Sequence, residues 1–121
     1  MTEAALLGIV VLIVLAVAVG PDFHSNGVVL AGTETDGLWR STDCGHTFAH
    51  VESAPPTVNA LAAIPAGRAG GGWLLSDADE LWRSPDGLAW TPVPDSHATL
   101  ALLVAGDTVL AAGEAGVAPV T

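Results

Sequence analysis

The sequence is poorest in positive charge. Lysine and tyrosine are absent, and Arg40, Arg68 and Arg83 stand against 13 acidic residues, for a formal net charge of −10. A chain of that sign repels phosphate backbones, so nucleic acid is not an expected partner. Cys44 is the single cysteine, which excludes an intrachain disulfide and a cysteine-based zinc cage and leaves the redox compartment open. Charged residues make up 13% of the chain and hydrophobic ones 50%, a globular or membrane-attached composition rather than a disordered one. At 121 residues there is room for one modest domain with one core.

What is abundant is apolar sequence in short runs, with one long exception. Ala4 to Gly20, AALLGIVVLIVLAVAVG, is an uncharged run of seventeen residues, at the lower edge of what spans a bilayer as a helix. The flank ahead of it, MTE, offers no Lys or Arg to form the n-region of a signal peptide or to fix an orientation. Its Val and Ile content suits a strand equally well. Two readings therefore compete for residues 4–20: an inner strand over Val11 to Val19, or a membrane helix or export signal. The second would make the chain extracytoplasmic or membrane-associated.

The chain also says one phrase twice. GLWRSTDCGHTF, from Gly37 to Phe48, returns in shortened form as ELWRSPDGLAW, from Glu80 to Trp90, with Leu38 matching Leu81 at a spacing of 43 residues. VVLAGT precedes the first copy and WLLSD the second, and TVLAAGE (Thr108 to Glu114) opens a third; IVLAVAV, NALAAIP and TLALLVA lie further upstream of each. Runs this short, bounded by PDFHSNG, AGRAGG, TDCGH and PDG, read as strands joined by hairpin turns. Four strands per unit at a period of about 36 to 46 residues is the pattern of a propeller blade. The expected fold is all-β, built of antiparallel four-stranded blades in an incomplete ring. The expected division is an apolar leader over 1–10, a first blade over 11–53, a second over 57–95 and a partial third over 98–121.

Ser41, Asp43, Gly45, Thr47 and Phe48 resemble the Asp box, S-x-D-x-G-x-T-(W or F), of the bacterial neuraminidase repeat and of sortilin-like propellers. Ser84, Asp86, Gly87 and Trp90 are similar to a box one residue short. The resemblance runs from about Val11 to Val93 and fades toward Thr121. It implies that each box closes the hairpin between the third and fourth strands of a blade, on the face away from the ligand site. The residue types suit such a turn. A carboxylate takes several backbone N–H groups in a tight loop, Gly45 admits positive φ, and Phe48 fills the apolar space beside it. In this reading the turn is half-buried or buried.

The same resemblance tests a sialidase reading. Such enzymes use a tyrosine nucleophile paired with a glutamate and an arginine triad, whereas this chain has no tyrosine and its Arg40 and Arg83 fall at equivalent repeat positions. No Ser, His and Asp order, cysteine pair or H-E-x-x-H replaces that machinery, and His46, His50 and His97 are scattered. Trp39, Trp82 and Trp90 recur by position and read as packing; only Trp73 has no counterpart of its own kind. The blade order implied by the family gathers Glu34, Asp36, Glu52, Asp77, Asp79, Glu80, Asp95 and Glu114 on one face. Glu34, Asp36, Asp77, Asp79 and Glu80 are the candidates there for weak Ca²⁺ binding or for a basic protein, with Asp22 and His24 a second oxygen-bearing turn. No catalytic residue and no resident cofactor is expected. The expected function is that of a non-enzymatic scaffold or interaction module, with a protein, a carbohydrate, a membrane through residues 4–20, or another copy through unpaired blade edges as partner. The competing expectation is a fragment of a sialidase-like glycoside hydrolase whose catalytic blades lie outside this chain.

Overall fold

Short β-branched and leucine-rich runs separated by tight turns pair with their sequence neighbours, because a hairpin is the least entropically costly way to satisfy their backbone groups. The computed structural model describes residues 14–20, 23–64, 72–105, 108–113 and 116–120. These form three antiparallel sheets. The first takes β1 (Val14–Val19), β2 (Val29–Thr33), β3 (Leu38–Ser41) and β4 (Ala49–Val51) in chain order, with a single helical turn, α1 (Phe23–Asn26), between β1 and β2. The second takes β5 (Ala60–Ile64), β6 (Gly72–Ser76), β7 (Leu81–Ser84) and β8 (Thr91–Pro92) in the same order. The third has β9 (Ala101–Ala105), β10 (Thr108–Gly113) and β11 (Gly116–Pro119).

Residues Val14–Val19, the end of the long apolar run, are thus a strand, paired from Val14 opposite Thr33 to Val19 opposite Val29. A bilayer helix over residues 4–20 is overturned for this part of the run, because its backbone bonds go to β2. Among the described residues no helix is long and apolar enough to cross a membrane. Residues 1–13 lie outside the described residues.

Sequence matching at a spacing of 43 holds for β3 and β7 but slips by one in the strands before them. Leu38 pairs with Gly32, and Leu81 with Ser76, so residues 33–37 turn the first hairpin and only 77–80 turn the second. Structural equivalents in β2 and β6 are therefore Gly32 and Ser76, and Leu30 and Leu74. The chemistry of the turns explains the change of length. In the first, the Thr33 hydroxyl accepts from Asp36 N–H at 2.9 Å and donates to the Gly37 carbonyl at 2.8 Å. In the second, the Asp77 carboxylate accepts from Asp79 and Glu80 N–H at 2.8 and 2.9 Å, which closes a tighter loop.

Alternation along the strands divides the core into two layers. Val28, Leu30, Leu38 and Val51 of the first sheet meet Leu61, Trp73, Leu75 and Trp90 of the second. From the opposite face of the second sheet, Ala62, Ile64 and Leu74 meet Val109, with Leu102 and Val120 at the margin. The first strands β1, β5 and β9 lie side by side in that order. Each linker into a new sheet bonds first to the old sheet and then to its own. Val58 N–H reaches the Thr33 carbonyl at 3.0 Å and Asn59 N–H the Ser76 carbonyl at 2.8 Å; Thr99 N–H reaches Ser76 Oγ at 2.9 Å and Leu100 N–H the Ala112 carbonyl at 2.8 Å.

Candidate functional site

Among the described residues, the two serine–aspartate turns are the most heavily bonded side-chain clusters. In the β3–β4 turn, Ser41 Oγ donates to Asp43 Oδ1 at 2.7 Å and accepts from the N–H groups of Asp43 and Gly45 at 3.2 and 2.9 Å. Asp43 Oδ1 accepts from Thr47 N–H at 2.9 Å, and Thr47 Oγ1 donates to Asp43 Oδ2. Gly45 sits at φ 89°, a left-handed conformation in which a side chain is strained. Phe48 closes the turn over the core, 8% exposed.

The β7–β8 turn repeats the design with one residue fewer. Ser84 Oγ donates to Asp86 and accepts from Asp86 and Gly87 N–H at 3.2 and 2.7 Å. Asp86 Oδ1 takes the N–H groups of Leu88 and Ala89 at 2.9 and 3.1 Å in place of the threonine. Trp90 replaces Phe48 and donates its indole N–H to the Gly87 carbonyl at 3.0 Å.

Burial is distributed differently from the sequence expectation. Ser41 and Ser84 are each 1% exposed, whereas Asp43 and Asp86 are exposed at the surface. The hydroxyl is the sealed centre of the turn, and the carboxylate stays at the surface, where the hydrogen bonds to its charged form outweigh the desolvation it suffers. The pKa directions follow. The Thr47 hydroxyl, then the Ser41 hydroxyl and Thr47 N–H, lower Asp43 to about 2. Asp86 is lowered by the N–H groups of Leu88 and Ala89 first, and least by Arg40.

That last contact marks a second role for the β7–β8 turn. A Cβ placed on Gly87 would lie 3.5 Å from Arg40 Nε, 3.4 Å from Leu30 Cδ2 and 3.5 Å from the Trp73 indole nitrogen, so the turn presses on the first sheet through a residue with no side chain. Ser53, beyond the end of β4, donates to the Leu88 carbonyl at 2.6 Å and accepts from Trp90 N–H at 3.3 Å. Nothing in the sequence points to Ser53, since its partners are 35 and 37 residues away. Thr33 is more legible, because a threonine three residues before Asp36 fits a hydroxyl-capped turn.

The candidate acidic face resolves into turns with individual duties. Glu34 and Asp36 lie in the β2–β3 turn, and Asp77, Asp79 and Glu80 in the β6–β7 turn. Asp77 spends its second oxygen on the Trp82 indole N–H at 3.1 Å, and Glu52 pairs with His50 at 3.2 Å. Among the described residues no three of His, Cys, Asp and Glu converge in a way that could hold a metal ion. Asp22 and Glu114 lie outside the described residues.

The described residues also line two open concavities. One of about 310 Å³ lies where β1, β5 and β9 begin, lined by Ala16, Val17, Asn59, Ala60, Leu61, Leu100, Ala101 and Leu102. The other, about 650 Å³, lies between Asn59, Ala78, the His97–Leu100 linker and the third sheet. Asn59 borders both. Neither concavity has Arg40 in its lining. Comparison of the chain with known family models and with curated proteins gives no match.

Proposed function

We propose that the chain is a run of Asp-box propeller blades acting as a non-enzymatic scaffold or interaction module. One observation carries the reading: turns centred on the same serine-to-aspartate bond close the same hairpin in two successive four-stranded meanders, and the second turn is seated against Arg40 of the sheet before it. Such turns spend their polar groups on backbone and on the neighbouring sheet, which is the chemistry of a structural joint. The placement of β1, β5 and β9 side by side supports a common axis lined by first strands, with the 310 Å³ concavity at its mouth. Arg40 and Arg83 occupy equivalent strand positions in β3 and β7, and the absence of tyrosine leaves the chain without the nucleophile of sialidases. The test is incubation of the purified chain with a fluorogenic sialoside: no turnover is expected. Turnover that survives repurification would favour the glycoside-hydrolase reading instead.

A further inference from the structure

We infer that Asn26 is a self-modifying residue: its carboxamide is lost as ammonia through a cyclic imide formed with the Gly27 nitrogen, leaving a carboxylate just ahead of β2. The inference stands apart from the propeller reading, because it uses only the loop between β1 and β2 and the turn beneath it.

The chain has no glutamine and two asparagines, Asn26 and Asn59, so ammonia can come from two side chains. Asn59 is half-buried and is followed by Ala60, which has a side chain and is paired with Ser76 in β5 and β6. Asn26 is exposed at the end of α1 and is followed by Gly27. Packing requires a glycine at that place. Gly27 holds φ 65°, and a Cβ on it would stand 2.9 Å from the Cys44 nitrogen, 3.1 Å from the Thr42 carbonyl oxygen and 3.2 Å from Cys44 Sγ. Its own carbonyl accepts the Cys44 N–H at 2.9 Å, which fastens the loop to the β3–β4 turn. The same lack of a Cβ leaves the Gly27 nitrogen unshielded.

The electrophile is prepared as well. Asn26 Oδ1 accepts the Val28 N–H at 3.0 Å. When the Gly27 nitrogen adds to Asn26 Cγ, negative charge gathers on Oδ1, and this donor already faces the atom that receives it. A single helical turn is not stable by itself, so α1 opens at little cost and lets the Gly27 nitrogen approach. That nitrogen gives its proton to solvent base as its bond to Cγ forms. The Cγ–Nδ2 bond then breaks, and ammonia leaves with a proton taken from water. Water opens the ring at either carbonyl. Attack at Cγ restores the peptide bond and leaves an aspartate at position 26, whereas attack at the main-chain carbonyl leaves an isoaspartyl linkage with one more carbon in the main chain. The sum is hydrolysis of a carboxamide, with water as its co-reactant.

The fold distinguishes the two products. An aspartate at position 26 still offers Val28 N–H an acceptor, in an exposed place. The isoaspartyl linkage lengthens the main chain where Gly27 is held against Thr42 and Cys44 without slack, and so pulls on the β3–β4 turn.

The test is incubation of the purified full chain at mildly alkaline pH, followed by an ammonia assay and by mass mapping of its peptides. A matched sample unfolded in guanidinium chloride and the variants Asn26→Asp and Asn59→Asp are treated alike. The native wild type and Asn59→Asp are expected to release a single ammonia per chain, with the mass change at position 26. Asn26→Asp is expected to release none and to melt at the wild-type Tm, while material that accepts a methyl group from an isoaspartyl methyltransferase melts below it. Asn26 intact in the native chain after the unfolded chain has converted would mean that the fold protects the residue, and would overturn the inference. Ammonia still released by Asn26→Asp, or conversion of Asn59 as fast as Asn26, would overturn it too, and a lowered Tm for Asn26→Asp would overturn the tolerance of the aspartate product.

Discussion

At Ser41 and Ser84 a hydroxyl buried to 1% exposure answers three polar groups at once. Ser41→Ala and Ser84→Ala each leave two N–H groups and a carboxylate short of a partner, and the expected loss is about 1–3 kcal/mol, read from denaturant midpoints. If either variant matches the wild type, the turns are not the joints proposed. Asp43 contributes through its charge. Its folded pKa, about 2, lies below the ordinary 3.8, so its contribution is fully present above about pH 4 and is lost as the pH falls through 3.8 toward 2. Asp43→Asn should therefore flatten the acid limb of the stability curve between those values while leaving its slope near neutrality unchanged. A wild-type Asp43 carboxyl titrating by NMR at its ordinary value would refute the cause.

At the scale of elements, the close joint between the first and second sheets is set at Gly32. A Cβ there would stand 2.3 Å from Val58 Cγ1, and Val58 is fully buried. Gly32→Ala is expected to cost about 1–3 kcal/mol by overpacking. Val58→Ala opens the space the new methyl needs, so the double variant should be more stable than the sum of the two losses predicts. Strict additivity in thermal melts would mean that the strands move apart without using Val58. The equivalent position in β6 is Ser76, whose hydroxyl accepts from Thr99 N–H in the next linker. One joint is made by close approach and the other by a hydrogen bond, at the same place in the repeat.

For the whole molecule, the middle sheet is the keystone because it is covered on both faces. Leu75, fully buried between the first two sheets, should cost about 2–5 kcal/mol on truncation to Ala. Unfolding should remain a single transition, since the layers on either side share β6. Leu88, 49% exposed in the β7–β8 turn, should on the same truncation change stability by about 0.5 kcal/mol or less. Two separate transitions in the Leu75 variant, followed by calorimetry, would show that the sheets unfold independently.

Hairpins, their neighbours and the aspartate as an acceptor within each turn were legible in the sequence, because they depend on residues a few positions apart, whereas the serine hydroxyl as the buried centre of each turn was not. Val, Leu and Ile runs alternate with Gly, Pro, Asp and Asn, and Asp43 and Asp86 bond N–H groups two to four residues away. The competing helix over residues 4–20 was not decided by composition, since the same β-branched run serves either solvent; pairing with β2 decided it for Val14–Val19. Nor did repeat spacing reveal which faces meet. A loop of five residues at 33–37 against four at 77–80 shifts β6 by one position relative to β2, and in a strand one position exchanges the two faces. Sequence matching at 43 places Trp73 with Leu30, whereas tertiary pairing places Leu74 there. The reach of Ser53 to Trp90 and the seating of Gly87 on Arg40 likewise came only from tertiary structure, because these two contacts join residues 35 or more positions apart that no local preference connects.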